Sequence, residues 1–170
     1  MKTVASAILI VFLAGMLAGC VAAPAPVAGS SASTEENTRI VRRVFTEVFD
    51  KHNLAVVDEL FAADFVYHAP GNPDFGREGL KEGFAAYLAA FPDARMTIED
   101  IFAAGDRVAV RYTCRGVHKG EFMGVPPSGK EVTMSAILIH RLANGKMVED
   151  WEWADNLGFM AQLGIVKLPQ

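Results

Sequence analysis

Residues 107–118 alternate strictly, with Val108, Val110, Tyr112 and Cys114 on one side and Arg107, Arg111 and Arg115 on the other. Only an extended strand separates side chains with a period of two, so this segment must lie in a sheet with one buried and one polar face. Its neighbours extend the pattern. Residues 95–104 are β-like, and Gly105-Asp106 turns the chain into the alternating strand. A Gly- and Pro-rich loop covers 119–130, and a further strand is expected over 131–142. Asn144-Gly145 then marks a tight hairpin returning through 146–155.

The first half reads differently. Ser33 followed by Glu36 has the form of a helix-capping pair. Ile40, Val41, Val44, Phe45, Val48 and Phe49 recur at helical spacing, predicting a helix that ends near His52-Asn53. Asn53 is placed to cap a short helix over 54–62, with a strand over 64–68. The turn residues Ala69-Pro70-Gly71-Asn72-Pro73 lead to a third helix over 77–91, stopped by Pro92. A short helix is expected over 157–163. Helices followed by a strand meander predict an α+β domain, with N-terminal helices packed on a strongly curved antiparallel sheet that encloses a pocket.

The N-terminus does not belong to this domain. Lys2 precedes VASAILIVFLAGMLAGC, a charge-free run over residues 4–20 that reads as a secretory signal and is slightly short for a spanning helix. The following VAAPAPVAGSSAST has no charge and little to bury, as expected of a flexible tether. The expected organisation is therefore a signal over 1–19, a tether over 20–34 and one domain over 35–170. Losing Lys2 takes the formal net charge from −4 to −5. A mildly acidic domain without a basic cluster is unsuited to nucleic acid. Of the two cysteines, Cys114 lies in an apolar strand, so no internal disulfide is expected. No ligand-spaced metal motif and no phosphate-binding glycine motif appear, and no metal or cofactor is expected.

Asp155 follows Trp151-Glu152-Trp153-Ala154, and alternation places Trp151, Trp153 and Asp155 on one face. A carboxylate desolvated beside two indoles has a raised pKa and can carry a proton near neutrality. Equally, Asp155 can cap the helix that follows. His140 alternates with Met134, Ala136 and Leu138 and so faces the apolar side, where it can polarise a carbonyl or hold a water. His118 and His68 stand beside loops, as pocket residues or as ordinary hydrogen-bonded turn histidines. Phe65, Tyr67, Phe84, Phe122, Met134 and Trp153 are the apolar supply for core and pocket.

Several stretches together carry a family resemblance. They include Phe65-Val66-Tyr67-His68-Ala69-Pro70, Gly76-Arg77-Glu78-Gly79-Leu80, Phe91-Pro92-Asp93 and Gly105-Asp106-Arg107-Val108. They continue through Gly116-Val117-His118-Lys119-Gly120-Glu121-Phe122 and Gly124-Val125-Pro126-Pro127-Ser128-Gly129-Lys130. The last are Gly145-Lys146-Met147-Val148-Glu149-Asp150-Trp151, Asp155 and Gln162-Leu163-Gly164. In order and spacing this resembles the SnoaL-like polyketide cyclases, within the nuclear transport factor 2-like (ketosteroid isomerase-like) cone folds. The resemblance implies a cone-shaped fold and a cofactor-independent acid/base enzyme of ester cyclase, isomerase or lyase type, acting on a small hydrophobic carbonyl compound. It further implies Asp155 as general acid/base, a homodimer paired through the outer sheet face, where Arg111, Thr113 and Arg115 point, and no cofactor. The alternative is a non-catalytic lipoprotein holding an apolar ligand or a protein partner. Leu17-Ala18-Gly19-Cys20 resembles a bacterial lipobox, implying lipid attachment at Cys20. Val21, in place of Asp, implies the periplasmic face of the outer membrane in a two-membrane cell. Those cyclases act on intermediates made inside the cell, so an exported domain is expected to take a different substrate.

Overall fold

In the computed structural model, which describes residues 31–167, the alternating segment is strand β4, Arg107–Val117, with Val108, Val110, Tyr112 and Cys114 buried. It lies in a meander with β3 (Arg95–Ala104), β5 (Glu131–Ala143) and β6 (Lys146–Ala154), in which each strand is antiparallel to the next. Strand β1, Phe61–His68, pairs antiparallel with the two-residue β2, Phe75–Gly76, and parallel with β6. The six-stranded sheet has the order β2-β1-β6-β5-β4-β3. The expected antiparallel sheet is therefore mixed. A parallel neighbour requires a crossover, and the chain between β1 and the meander makes it through helix α3, Arg77–Ala90.

The N-terminal layer begins with α1, Ser31–Arg43, which continues as a π-helical segment, Val44–Asp50. Helix α1 thus starts inside the expected tether, and Ser33 lies within the helix rather than capping it. The wider π turn keeps Val44, Phe45, Val48 and Phe49 all buried against the sheet. Helix α2 covers only Val56–Leu60, with Ala55 rather than Asn53 at its start, and Phe61 and Ala62 already belong to β1. Helix α4, Asn156–Leu163, closes the end of the sheet. The signal, Cys20 and most of the tether lie outside the described residues.

Two local features position the interior. Gly120 lies against the end of α3, where a Cβ would stand 2.9 Å from Ala90 Cα, and both Lys119 N–H and Gly120 N–H donate to the Ala90 carbonyl. The loop after β4 is thereby pinned over the helix. The β5–β6 hairpin turns through Asn144 and Gly145, both at positive φ, as its two-residue turn requires. Ala143 faces Lys146 and Leu142 faces Met147, but Arg141 then faces Glu149, leaving Val148 as an extra residue in β6. This bulge reverses the side-chain phase of β6 beyond it.

Candidate functional site

Between the helical layer and the concave sheet face lies a cavity of about 310 Å³. Val44, Phe45 and Phe49 of the π segment, Leu80, Phe84 and Tyr87 of α3, and Phe75 of β2 form its helical wall. Met96, Met134, Leu138 and Phe122 line the sheet and loop side. Its polar groups are Tyr67, Tyr87, Tyr112, His140, Asp150 and Glu152, and no Lys or Arg stands among the lining residues.

His140 and Asp150 are direct cross-strand partners on β5 and β6. Their side chains are 1% and 2% exposed, and His140 Nδ1 lies 2.7 Å from Asp150 Oδ1. With the carboxylate accepting at Nδ1, a neutral ring presents the lone pair of Nε2. That Nε2 is buried and has no hydrogen-bond partner.

Glu152 stands two residues further along the same face, opposite Leu138. Tyr67 donates its hydroxyl to one carboxylate oxygen of Glu152 and Tyr112 to the other. Burial, reinforced by the adjacent Glu152 charge, pushes both phenols far above their ordinary range, so they remain donors. Tyr87 pairs with Cys114 at 2.6 Å, and burial raises the Cys114 thiol. This removes thiolate character from the cysteine.

Of the residues expected at the site, His140, Tyr67, Phe84, Phe122 and Met134 line the cavity. The other placements differ. Asp155 is exposed at the start of α4, where its Oδ1 accepts from Gly158 N–H at 2.9 Å. The desolvation on which its proton-carrying role rested is absent, and it serves as a cap. Trp153 is 72% exposed on the outer sheet face. Phe65 is core, packed edge-on against Phe61 at 4.9 Å.

His118 is fully buried away from the cavity, stacked on Phe91, with Ser128 Oγ at 3.2 Å from Nδ1. Its main chain exchanges hydrogen bonds with Gly129 and Lys130, which makes it the clamp of its loop. His68 bridges Asp74 at 2.9 Å and Glu149 at 3.0 Å outside the cavity. Its pKa is raised by Asp74 first and Glu149 second. Four polar cavity residues, Tyr87, Tyr112, Asp150 and Glu152, were absent from the expected site. Tyr112 had a signal, its place on the buried side of β4. Asp150 and Glu152 face inward only because of the Val148 bulge.

A family model described as SnoaL-like polyketide cyclase matches residues 39–163. Among solved structures, IdmH, a proposed polyketide cyclase from Streptomyces antibioticus, is 36% identical with a TM-score of 0.66, covering 75% of this chain and 98% of its own. A proposed SnoaL-like polyketide cyclase from Jannaschia sp. CCS1 is 26% identical with a TM-score of 0.74, covering 81% and 98%. AclR, a proposed hydroxylase from Streptomyces galilaeus, is 27% identical with a TM-score of 0.72, covering 81% and 87%. No curated protein matches the chain.

Proposed function

Because the chain belongs to the SnoaL-like polyketide cyclase family, we propose that it moves a proton, without a cofactor, on a small hydrophobic carbonyl compound held in the cavity. His140 is the proton carrier and Asp150 its positioning partner. The observation that carries this reading is the Nε2 of His140, buried in the wall of an apolar cavity with no partner. Leaving such a group unsatisfied costs about 1–3 kcal/mol, which a substrate C–H or O–H at that point would offset in the complex. A cavity that only held an apolar ligand would need no such group, and this favours chemistry over simple binding.

In the proposed step Nε2 takes the proton from the carbon next to the carbonyl, and the C–H electron pair becomes an enolate. Asp150 stabilises the resulting imidazolium. The enolate either attacks a second carbonyl of the same molecule or is reprotonated at another carbon, and Nε2–H returns the proton to the alkoxide or carbon. Hydrogen–deuterium exchange at the α-carbon, followed by NMR for a panel of hydrophobic β-keto esters, tests this without a known substrate. Wild type should accelerate exchange and His140→Asn should lose the acceleration. Exchange at the buffer rate across the panel, or unchanged in the variant, would falsify the reading.

The same proposal includes membrane attachment through lipid on Cys20, supported by the charge-free run ending in Leu17-Ala18-Gly19-Cys20. Intact mass of membrane-extracted protein should fit an acylated chain beginning at Cys20; an unacylated chain beginning elsewhere rules the anchor out. It also includes a homodimer through the outer sheet face. Phe102, Ile137, Ile139 and Trp153 are exposed there, and the register sets Ile137 directly beside Trp153. Adjacent exposed apolar side chains of this kind mark interaction surfaces. Protein beginning at residue 31 should sediment as a dimer at micromolar concentration and Trp153→Glu as a monomer. A wild-type monomer throughout that range removes the dimer.

A further inference from the structure

We propose that the cavity selects uncharged or cationic hydrophobic molecules that bring a hydrogen-bond donor, and rejects carboxylic acids, through the Tyr67–Glu152–Tyr112 cluster. The inference deepens the reading of the same cavity and rests on it, naming the class of molecule it takes.

The argument is a count of protons. Each phenol has one, and both are committed to Glu152, Tyr112 to Oε1 and Tyr67 to Oε2. What the three side chains still offer is lone pairs. The Tyr87 hydroxyl, also in the lining, shares one hydrogen bond with the buried Cys114 thiol in which either group can donate, so one proton of that pair stays uncommitted. His140 has its Nδ1 directed at Asp150 and its Nε2 without a partner. At His140 and at the Tyr67–Glu152–Tyr112 cluster, the polar atoms left to a ligand are thus acceptors.

Charge points the same way. Asp150 and Glu152 are both carboxylates in the lining, and no Lys or Arg faces them there. A second anion among them would meet like charges at low dielectric with no cation to offset the repulsion. A hydroxyl, enol or amine meets acceptors at His140 and at the cluster.

The cluster also explains how such a cavity accommodates a carbonyl oxygen, which itself needs a donor. A ligand O–H that takes one acceptor position on Glu152 displaces a phenol from it. The released Tyr67 or Tyr112 hydroxyl can then donate to the carbonyl. The substrate class that satisfies every group is a hydrophobic carbonyl compound with its own hydroxyl or enol and no free acid.

Calorimetric titration of the full chain with 2-naphthol, 2-methoxynaphthalene and 2-naphthoate at pH 7 tests this, because the three share a ring system and differ in donor and charge. The naphthol should bind about tenfold or more tighter than the methyl ether, the effect of one hydrogen bond to a charged acceptor. The naphthoate should bind at least about 100-fold more weakly than the naphthol. Glu152→Gln should narrow both gaps, and Tyr67→Phe, which frees an acceptor position on Glu152, should preserve the rejection of naphthoate. Equal affinities of wild type for naphthol and methyl ether, or naphthoate binding as tightly as either, overturn the proposal. Failure of the α-proton exchange assay with the expected binding order intact would remove the catalytic reading and leave the selectivity standing.

Discussion

Asp150→Asn is expected to lower α-proton exchange by about 10²–10⁴-fold while leaving the cavity its shape. The residue is 2% exposed and meets His140 Nδ1 at 2.7 Å, so an isosteric amide occupies the same space. Its consequence is electronic. A carboxylate can only accept, which fixes the imidazole proton on Nδ1 and leaves Nε2 basic. The Asn amide can turn its NH₂ to Nδ1, and the proton then moves to Nε2, the atom that must receive one from the substrate. The variant also loses the charge that stabilises the imidazolium. The same NMR assay measures the effect, with circular dichroism and 2-naphthol binding establishing that fold and cavity survive. A rate within about threefold of wild type would show that Asp150 does not position His140 for proton transfer.

Phe91→Ala is expected to destabilise the domain by about 3–5 kcal/mol. Phe91 ends α3 and is fully buried. Its ring stands 4.9 Å from Tyr87, 5.3 Å from His118 and from Phe122, and 5.8 Å from Phe159. These neighbours come from α3, the loop after β4 and α4, so one truncation opens a void where three elements meet. The loop carrying Phe122 is anchored at Ala90 through main-chain hydrogen bonds and cannot readily move in to fill it. Paired urea melts measure the difference. A cost below about 1 kcal/mol would mean that the loop and α4 collapse onto the gap.

Much of the architecture was legible because its signals are local. Period-two alternation marked β4, Asn144-Gly145 marked the hairpin, and the turn residues 69–73 with Pro92 bracketed α3. The parallel pairing of β1 with β6 was not, since it joins segments about eighty residues apart with no local sign. The site was half legible. His140 was placed on the inner face by its neighbours in β5. Its partner Asp150 was missed for one physical reason: an unbroken register from a two-residue hairpin would set His140 opposite Glu149 and turn Trp151 and Trp153 inward. The bulge at Val148 moves the register by one, so Asp150 meets His140 and the indoles turn out. Val148 is an ordinary strand residue and carries no mark of this. His68 illustrates the other limit, because its two carboxylate partners, Asp74 and Glu149, converge only in the folded chain.

The strand order has a consequence in time. Each meander strand pairs with its predecessor as soon as it is made, but β1 borders only β2 and β6, and β6 is the last strand of the chain. The Tyr67–Glu152 bond spans 85 residues. Helix α1 and the π segment find their seat on β3 and β4, complete at Val117, whereas β1 must wait for β6. Such long-range closure is slow and leaves apolar surface open to other chains in the meantime. The interval ends only when β6 is in place, and the Tyr67–Glu152–Tyr112 cluster forms with it.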